Sequence, residues 1–579
     1  MYRQGSPVDR LPEEILSYVF VLGAQPVKWG MPSDGVVLRD NTNISPCAGF
    51  PYNHPVRVAS VSKHWRQVAL NTPALWNKIF LSLRDVYEDT GDMDLRFASM
   101  FLERSRNYRL DIFVDARDPE WDFSEFDPST AGNTPCEDTD VDDRYFHPFT
   151  MTYMQDALGL ILSELHRCRF LTVLVDRWYH MYLTLLCLNG GTTQAPLLES
   201  LILMRCNEIV AHSPVFKPET FAAAPLLPFR GALAGTAYPR LNRLVLSGVH
   251  FDWSAFPSRL PDPVSCGARL HSLDLSYLCK AVRPSITEFR SLLERCSALK
   301  ELSIVLSMPR HDPTAVDLDV EPVVLHRLEK LTFGYDDGND AVYTLRVFQA
   351  PNLRVLTLCD ATSPTAFFEQ DGGCVLAYFA QQDPIIPEVG TLHVQEMPLR
   401  PLFPLLEEVT VHSVKASVEA FQLFFASLPQ LSSLKLSRMR QECFVALRPS
   451  RPCDPPYCPC PLVNCFRAFD YFAVLQPLVL AVLQERSDYG AVAHDVQAQP
   501  VDEDSDSSDE EGDSGRVELS NFEAALFESQ LRAAGMGGLL DAAVAAVNAA
   551  TATMANALAP APFIQQAQQP AAPATAGRL

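Results

Sequence analysis

The chain has 579 residues, a formal net charge of -23 and a hydrophobic fraction of 47%. Its length allows several domains or one long repeat array, and its apolar content allows a sizeable core. An acidic surface repels phosphate groups and anionic lipids, so we expect no nucleic acid and no membrane among its partners. The sequence shows no apolar signal core and no apolar run of membrane-spanning length, so we expect a cytoplasmic and/or nuclear protein.

The first predicted helix lies in the stretch RLPEEILSYVF, which begins at residue 10. Pro12 suits the first helical turn, because N–H groups there have no acceptor within the helix and proline has no N–H. The two glutamates after it complement the positive end of the helix. Gly23 and Pro26 end the helix. Four apolar residues share one face at helical spacing: Ile15, Leu16, Val19 and Phe20.

A polar segment rich in Pro, Gly and Asn, residues 24–55, reads as an inserted loop before the next helix. That helix carries Val58, Val61, Trp65 and Val68 on one stripe. A third, short helix follows Thr72 and holds Trp76. Three such short helices bury too little surface to be stable alone, so we expect them to pack against something else. The alternative is a helical cap on the domain that follows.

The stretch LPEEILSYVF followed by VASVSKHWRQVALNTPALW resembles the F-box, in its variant with a loop between the first and second helices. The resemblance covers residues 11–83 and departs from the minimal motif in the inserted loop. It implies binding to the Skp adaptor of Skp–cullin–F-box ubiquitin ligases, and through that adaptor to a cullin. Carried over by position, it assigns the adaptor interface and the module's small core to Leu11, Pro12, Ile15, Leu16, Val19, Phe20, Val58, Val61, Trp65 and Trp76.

The next predicted region, residues 84–149, is a connector with an acidic loop. The loop contains DARDPEWDFSEFDPST, in which Trp121, Phe123 and Phe126 stand among carboxylates. Such a composition is typical of a solvated excursion. An acidic–aromatic docking segment is the alternative.

The middle of the chain repeats the pattern apolar-x-x-apolar-x-apolar, beginning at Leu198, Leu241, Leu270, Leu299, Leu328, Leu353, Leu406 and Leu431. Three successive steps are 29 residues long, which indicates a true repeat. Each hexamer alternates with period two, as a half-buried strand does, and a helical pattern such as TEFRSLLERC lies between strands. Residues 150–440 therefore resemble leucine-rich repeats in a degenerate form that lacks the usual Asn or Cys. A plain α/β domain is the alternative.

The outward positions of these strands form the candidate substrate-binding face. Their side chains are mixed and weakly charged, which suits a protein partner, and they contain no convergent catalytic groups, so we expect no enzyme activity. The candidate substrate-binding residues are Arg243, Val245, Asp274, Ser303, Thr332, Thr357, Thr410 and Lys435.

The C-terminal part is predicted to comprise a cap, residues 441–490, and a disordered acidic and Ala-rich tail, residues 491–579, with a short helix at 520–533. The cap contains a Cys- and Pro-rich loop with Cys453, Cys458, Cys460 and Cys465. Four thiolates could hold zinc, but their spacing departs from the usual paired knuckles. We therefore expect a surface loop, no metal and no cofactor.

Taken together, these patterns predict an α/β fold with an N-terminal three-helix F-box module at residues 1–83, a leucine-rich-repeat-like α/β solenoid and a disordered tail. The resemblances imply a substrate-recognition subunit of a Skp–cullin–F-box type ubiquitin ligase that holds a protein substrate on its repeat domain. One alternative is a leucine-rich-repeat scaffold that is not assembled with a cullin. Another is a metal-binding protein or enzyme that uses the Cys-rich loop.

Overall fold

The computed structural model describes residues 11–24, 53–85, 93–118, 147–189, 195–206, 209–213, 215–216, 238–257, 260, 270–310, 321–362, 370–380, 402–449 and 457–500. The chain divides into two units, Met1–Arg516 and Val517–Leu579, and all described residues belong to the first. Nearly all of the predicted inserted loop, most of the acidic segment, Cys453, and the tail from residue 501 with its predicted helix lie outside the described residues.

The chain begins with short helices, α1 (Glu13–Gly23), α2 (His54–Val61) and α3 (Lys63–Leu70), and a 3-10 turn at Pro73–Leu75. The second predicted helix is thus two helices. Ser62 separates them because its backbone is extended, and its hydroxyl accepts a hydrogen bond from the Trp65 N–H at 3.1 Å. A serine in this position caps the new helix and satisfies a donor that its first turn leaves free.

Within the described residues, thirteen parallel strands form one sheet, in which the strands lie side by side in the order in which they follow one another in the chain. They are β1 (Lys78–Ser82), β2 (Leu110–Ala116), β3 (Cys168–Val175), β4 (Ser200–Arg205), β5 (Arg243–Ser247), β6 (Ser272–Ser276), β7 (Glu301–Val305), β9 (Lys330–Tyr335), β11 (Val355–Asp360), β12 (Glu408–His412), β13 (Ser433–Ser437), β14 (Cys465–Tyr471) and β15 (Asp495–Pro500). Two short strands, β8 (Val323–Val324) and β10 (Phe348–Gln349), pair separately. All eight strands predicted from the repeat are present.

Parallel neighbours need a crossover, and helices supply most of the crossovers that are described. They are α4 (Arg96–Arg104), α5 (Met151–Leu162), α6 (Trp178–Asn189), α7 (Ile209–His212), α8 (Ile286–Arg295), α9 (Gly338–Leu345), α10 (Gly373–Phe379), α11 (Val418–Ala426), α12 (Gln441–Ala446) and α13 (Gln476–Asp488). Local sequence sets their starts: at α8 the Ser285 hydroxyl accepts from the Glu288 N–H, while the Glu288 carboxylate accepts from the Ser285 N–H.

The main core lies between one face of the sheet and these helices. The repeated leucines pair in register across neighbouring strands, so that Leu273, Leu302 and Leu331 form a buried row. On α8, Phe289 and Leu292 are buried in the same cluster. The apolar residues that recur every second position in the strands and about every 3.6 positions in the helices therefore form one apolar layer.

The sheet extends beyond the predicted repeat region, 150–440, at both ends. The predicted connector contains α4 and β2, the predicted cap contains β14, and β15 falls in the predicted tail. These strands carry Ile, Val, Phe or Ala at the inward positions where the repeat has leucine; Ile79 pairs with Ile112, for example. A pattern defined by leucine therefore missed them. Among the described helices, none combines the length and apolar character that crossing a bilayer requires.

Candidate functional sites

One side of α1 is an exposed apolar surface. Ile15 is 48% exposed and Val19 is 50% exposed, whereas Leu16 and Phe20 on the other side are buried. We define the α1 face as the exposed apolar residues Leu11, Ile15, Tyr18, Val19 and Leu22. Contiguous apolar residues that stay in contact with water on a helix are typical of a surface that a partner covers.

The buried side of α1 is fixed to the helices that follow. The rings of Phe20 and Trp65 lie 4.9 Å apart. The His54 ring nitrogen Nε2 lies 3.1 Å from the Phe20 carbonyl oxygen, and the Thr72 hydroxyl donates to the Ser17 hydroxyl at 3.0 Å. These contacts hold α1 in one orientation, so the α1 face is a preformed surface.

The ten residues that the resemblance assigned to the adaptor interface and small core separate into two groups. Buried within the chain are Leu16, Phe20, Val58 and Trp76, while Trp65 is half-buried. Exposed are Leu11, Pro12, Ile15, Val19 and Val61. The first group stabilises the helices, and the second group is available to a partner.

The second candidate surface is the outward face of the sheet, opposite the main core. Strand pairing places one residue from each strand in a single row, which we call the central row: Phe80, Phe113, Thr172, Ile202, Val245, Asp274, Ser303, Thr332, Thr357, Thr410, Lys435, Arg467 and Gln497. The row changes from mainly apolar through one acid and four hydroxyls to two bases. Seven of the eight predicted substrate-binding residues lie in it; Arg243 lies beside it, paired with Ser272.

The outward face is less open than the alternation predicts. Val245, Thr357 and Thr410 are buried, and the other five predicted residues are half-buried. Val245 packs in an apolar cluster with Phe113, Leu174 and Met204 on this side of the sheet. Larger side chains flank the two buried threonines than flank Thr332, because Thr357 stands between two threonines and Thr410 between a threonine and Lys435, whereas Thr332 has Ser303 on one side. The expectation of an open face is therefore wrong at these three positions.

Asp274 is the acidic residue of the central row. The Ser276 and Ser303 hydroxyls hydrogen-bond to its carboxylate, but its Oδ1 atom is enclosed and has no hydrogen-bond partner within the described chain. Burial raises the pKa of Asp274 to about 6, against the lowering effect of those two bonds and of Arg243. The Nε atom of Arg243 is likewise enclosed without a partner among the described residues.

Lys435 and Arg467 are the bases of the central row and pair directly on neighbouring strands. The Arg467 Nη2 atom donates to the Asp495 carboxylate at 3.0 Å. Sequence reasoning missed Arg467 because β14, with the sequence CFRAFDY, does not match the leucine pattern. The alternation of Phe466, Arg467 and Ala468 was the signal that could have found it.

A third cluster, which sequence reasoning also missed, lies at the carboxyl ends of β2 and β3. The buried Asp176 carboxylate contacts His147, and Asp115 forms an ion pair with Arg117 at 2.8 Å. Burial raises the pKa of Asp176 and lowers that of His180 to about 3, so His180 is neutral at physiological pH. These groups are enclosed in the protein, which favours a structural role.

The described thiols of the Cys-rich loop form hydrogen bonds with different partners. The buried Cys460 thiol donates to the Phe425 carbonyl at 3.2 Å, and the Cys465 thiol donates to the Asp495 carboxylate at 3.5 Å. Burial raises the pKa of Cys460 to about 12, which opposes the thiolate form that a metal requires. Among the described residues, no group of three or more His, Cys, Asp or Glu is placed to hold a metal ion.

No protein-family model and no curated protein matches the chain. The α1 face and the central row are therefore the two surfaces of the described chain that indicate a function.

Proposed function

We propose that the chain is the substrate-recognition subunit of a Skp–cullin–F-box type ubiquitin ligase. In this proposal the N-terminal helices are an F-box that binds the Skp adaptor, and the sheet with its helices is a leucine-rich-repeat-like solenoid that holds a protein substrate. The subunit performs no chemistry itself. It accelerates ubiquitin transfer by raising the local concentration of substrate lysines near the conjugating enzyme.

The α1 face is the observation that carries this proposal. Its apolar side chains remain exposed although the opposite side of α1 is packed, and Val61 at the end of α2 is also 61% exposed. Fully burying an exposed apolar side chain contributes about 1.5 to 3 kcal/mol, and about half of that remains for a side chain that is about 50% exposed. Several of them on one preformed helix therefore support binding of an apolar partner groove, which the resemblance to the F-box identifies as the adaptor.

The sheet supports the substrate-binding half of the proposal. Parallel strands in chain order, with helices packed on one face, leave the other face for a partner. Its central row offers carboxylate, hydroxyl and basic side chains, which can form hydrogen bonds and ion pairs with a partner. Such a surface suits recognition of a protein segment.

An interaction scaffold without a cullin is the second candidate. One observation favours it: the N-terminal helices are packed onto the first strand. The Trp76 and Phe101 rings lie 5.0 Å apart, and the Lys78 ammonium donates to the Ala24 carbonyl at the end of α1. The N-terminal helices are thereby joined to the first strand and to α4, as a cap on the sheet would be.

Substitution of the α1 face separates the two candidates. We expect the double variant Ile15→Asp/Val19→Asp to lose co-elution with a purified Skp adaptor, because two carboxylates would be buried without partners. Both side chains are exposed in the free chain, so its melting temperature should stay unchanged. Trp65→Ala is a poorer test, since Trp65 packs against Phe20 and its loss would disturb the helices themselves.

The matched control is Val474→Asp/Val492→Asp, which places the same charges on exposed valines at the other end of the chain. It should co-elute with the adaptor as the unaltered chain does. If the unaltered chain does not bind the adaptor, or if the α1 variant still binds, the ligase proposal fails and the scaffold remains.

A further inference from the structure

Two basic side chains stand next to each other on the open face without full compensation. Lys435 and Arg467 are register partners on β13 and β14. Asp495 accepts a hydrogen bond from Nη2 of Arg467. In the part of the chain that the structure describes, however, the Arg467 Nε atom is enclosed without a partner, and Lys435 has no ion-pair or hydrogen-bond partner. Like charges directly opposite each other destabilise a sheet. An acidic group between them would relieve that repulsion.

The rest of the central row leads from this basic pair to an acidic residue. Ser303, Thr332, Thr357 and Thr410 connect it to Asp274, whose Oδ1 atom has no hydrogen-bond partner among the described residues. Asp274 and Lys435 are five strand steps apart, or about 24 Å at about 4.8 Å a step. At about 3.3 Å per residue, an extended segment of about seven residues covers this distance.

We propose that the central row binds an extended acidic segment of a protein partner. A carboxylate of that segment lies on Lys435 and Arg467, and about seven residues away a hydrogen-bond-donating side chain lies on Asp274. Arg243 stands near Asp274, so a neutral donor fits this end as well as a cation does. The inference rests on the proposed function, because it names the substrate class for the same face.

The charge distribution favours a protein segment over a nucleic acid. Asp274 lies in the row, and Glu301 and Glu408 stand on the same face one row below it. A polyanion running along the row would meet these carboxylates as well as the overall charge of -23. A protein segment can place its carboxylate at one end only.

Selection from a random dodecapeptide display library on the full chain tests the proposal. We expect enrichment of Asp or Glu, with a donor side chain about seven residues away. The best synthetic peptide should bind Lys435→Glu/Arg467→Glu at least tenfold more weakly in fluorescence anisotropy. The double variant Lys435→Gln/Arg467→Gln adds no repulsion next to Asp495 and should bind the peptide several-fold more weakly. Because it is less disruptive, it shows whether the effect of the Glu variant comes from local unfolding.

The matched control is Lys300→Glu/Arg327→Glu. Both residues are exposed and lie outside the central row, and the variant changes the net charge equally. Its peptide affinity should stay within about twofold of the unaltered chain. If both charge-reversal variants bind the peptide equally weakly, general electrostatics explains the effect and the proposal is overturned.

Three further results would also overturn it: enriched peptides without carboxylates, no enrichment at all, or tighter binding of a single-stranded oligonucleotide than of any peptide. Adaptor co-elution is measured on the same proteins. A chain that binds acidic peptides but no adaptor contradicts the ligase proposal alone. A chain that binds the adaptor but has no acidic preference contradicts the inference alone.

Discussion

His147 and Asp176 form a buried contact that also involves the backbone of Asp118. The His147 ring nitrogen Nε2 lies 3.2 Å from the Asp176 Oδ2 atom, and the Asp118 N–H donates to the same oxygen at 2.6 Å. Asp118 follows β2, Asp176 follows β3, and His147 begins the next described part of the chain. One carboxylate therefore joins three chain segments at this edge of the sheet.

Removal of this carboxylate should destabilise the fold. We expect Asp176→Ala to lower the free energy of unfolding by about 1 to 3 kcal/mol, because the Asp118 N–H and the His147 ring lose their buried acceptor. Chemical denaturation measures the loss, and hydrogen exchange should show a less protected Asp118 amide. Asp252→Ala is the control: within the described residues its carboxylate accepts from the neighbouring Ser254 and Ala255 alone, so the loss should be smaller. Unchanged exchange at Asp118 would contradict the structural role.

Trp76 should be required for the fold of the N-terminal helices themselves. It is 0% exposed, and its indole N–H donates to the Ala69 carbonyl at 2.8 Å. Trp76→Ala should lower the free energy of unfolding by about 3 to 5 kcal/mol, since it leaves a cavity beside Phe101. Trp76→Phe, which keeps most of the apolar contact, should lose much less. A Trp76→Ala chain as stable as the Ile15→Asp/Val19→Asp variant would contradict the separation between fold and binding surface.

Much of the sheet could be predicted from the sequence. Leucines that recur at a regular spacing indicate strands even when the neighbouring strand is not known. Strands with other inward residues, such as β2 and β14, could not be found with a leucine pattern, although the physical requirement is only an apolar side chain. Burial on the outward face was harder to predict. Thr357 and Thr410 are buried although they alternate with inward residues, and the alternation within one strand does not show which side chains of the neighbouring strands flank them.

The N-terminal helices show the same limit. Helical spacing placed Ile15, Leu16, Val19 and Phe20 on one broad face. Residues 15 and 19 point about 100° away from residues 16 and 20, because successive residues turn by that angle in a helix of 3.6 residues per turn. The sequence shows both pairs as apolar but does not show which pair its own chain covers. The packing against the helices that follow, with Trp65 against Phe20, decides it.

Asp274 should reduce stability at neutral pH. The unfolded carboxyl ionises near 3.8, whereas burial raises the pKa in the folded chain to about 6. As the pH rises through this window the unfolded state releases its proton first, so the fold loses stability. Asp274→Asn removes that loss. We expect it to stabilise the chain by about 1 to 2 kcal/mol at pH 7.5, a value reduced for the partial exposure of the residue, and by little at pH 4. An equal effect at both pH values would contradict this account.

Metal removal should leave the Cys-rich loop intact. The Cys460 and Cys465 thiols hydrogen-bond to different oxygens, and burial opposes ionisation of Cys460. We expect the melting temperature with excess chelator to match that without it, and we expect elemental analysis of the purified chain to give well under one equivalent of zinc. Stoichiometric zinc together with a lower melting temperature after chelation would instead support the metal-binding alternative.

Arg486 should hold the same loop closed and keep the Cys460 thiol from reacting. Only 4% exposed, its guanidinium donates to the carbonyls of Leu447, Pro459 and Cys460 at 3.2, 2.6 and 2.8 Å. Arg486→Met removes the guanidinium donor from all three carbonyls, although the Cys460 carbonyl keeps another bond, from the Val463 N–H at 3.3 Å. We therefore expect a loss of about 3 kcal/mol in the free energy of unfolding. Alkylation of Cys460 at pH 8, slow in the unaltered chain because burial keeps the thiol protonated and covered, should accelerate strongly. Arg448→Met is the control, since the exposed pair of Arg448 with Glu485 contributes about 1 kcal/mol at most. If Cys460 reacts as fast in the unaltered chain as in the Arg486 variant, the guanidinium does not hold the loop closed.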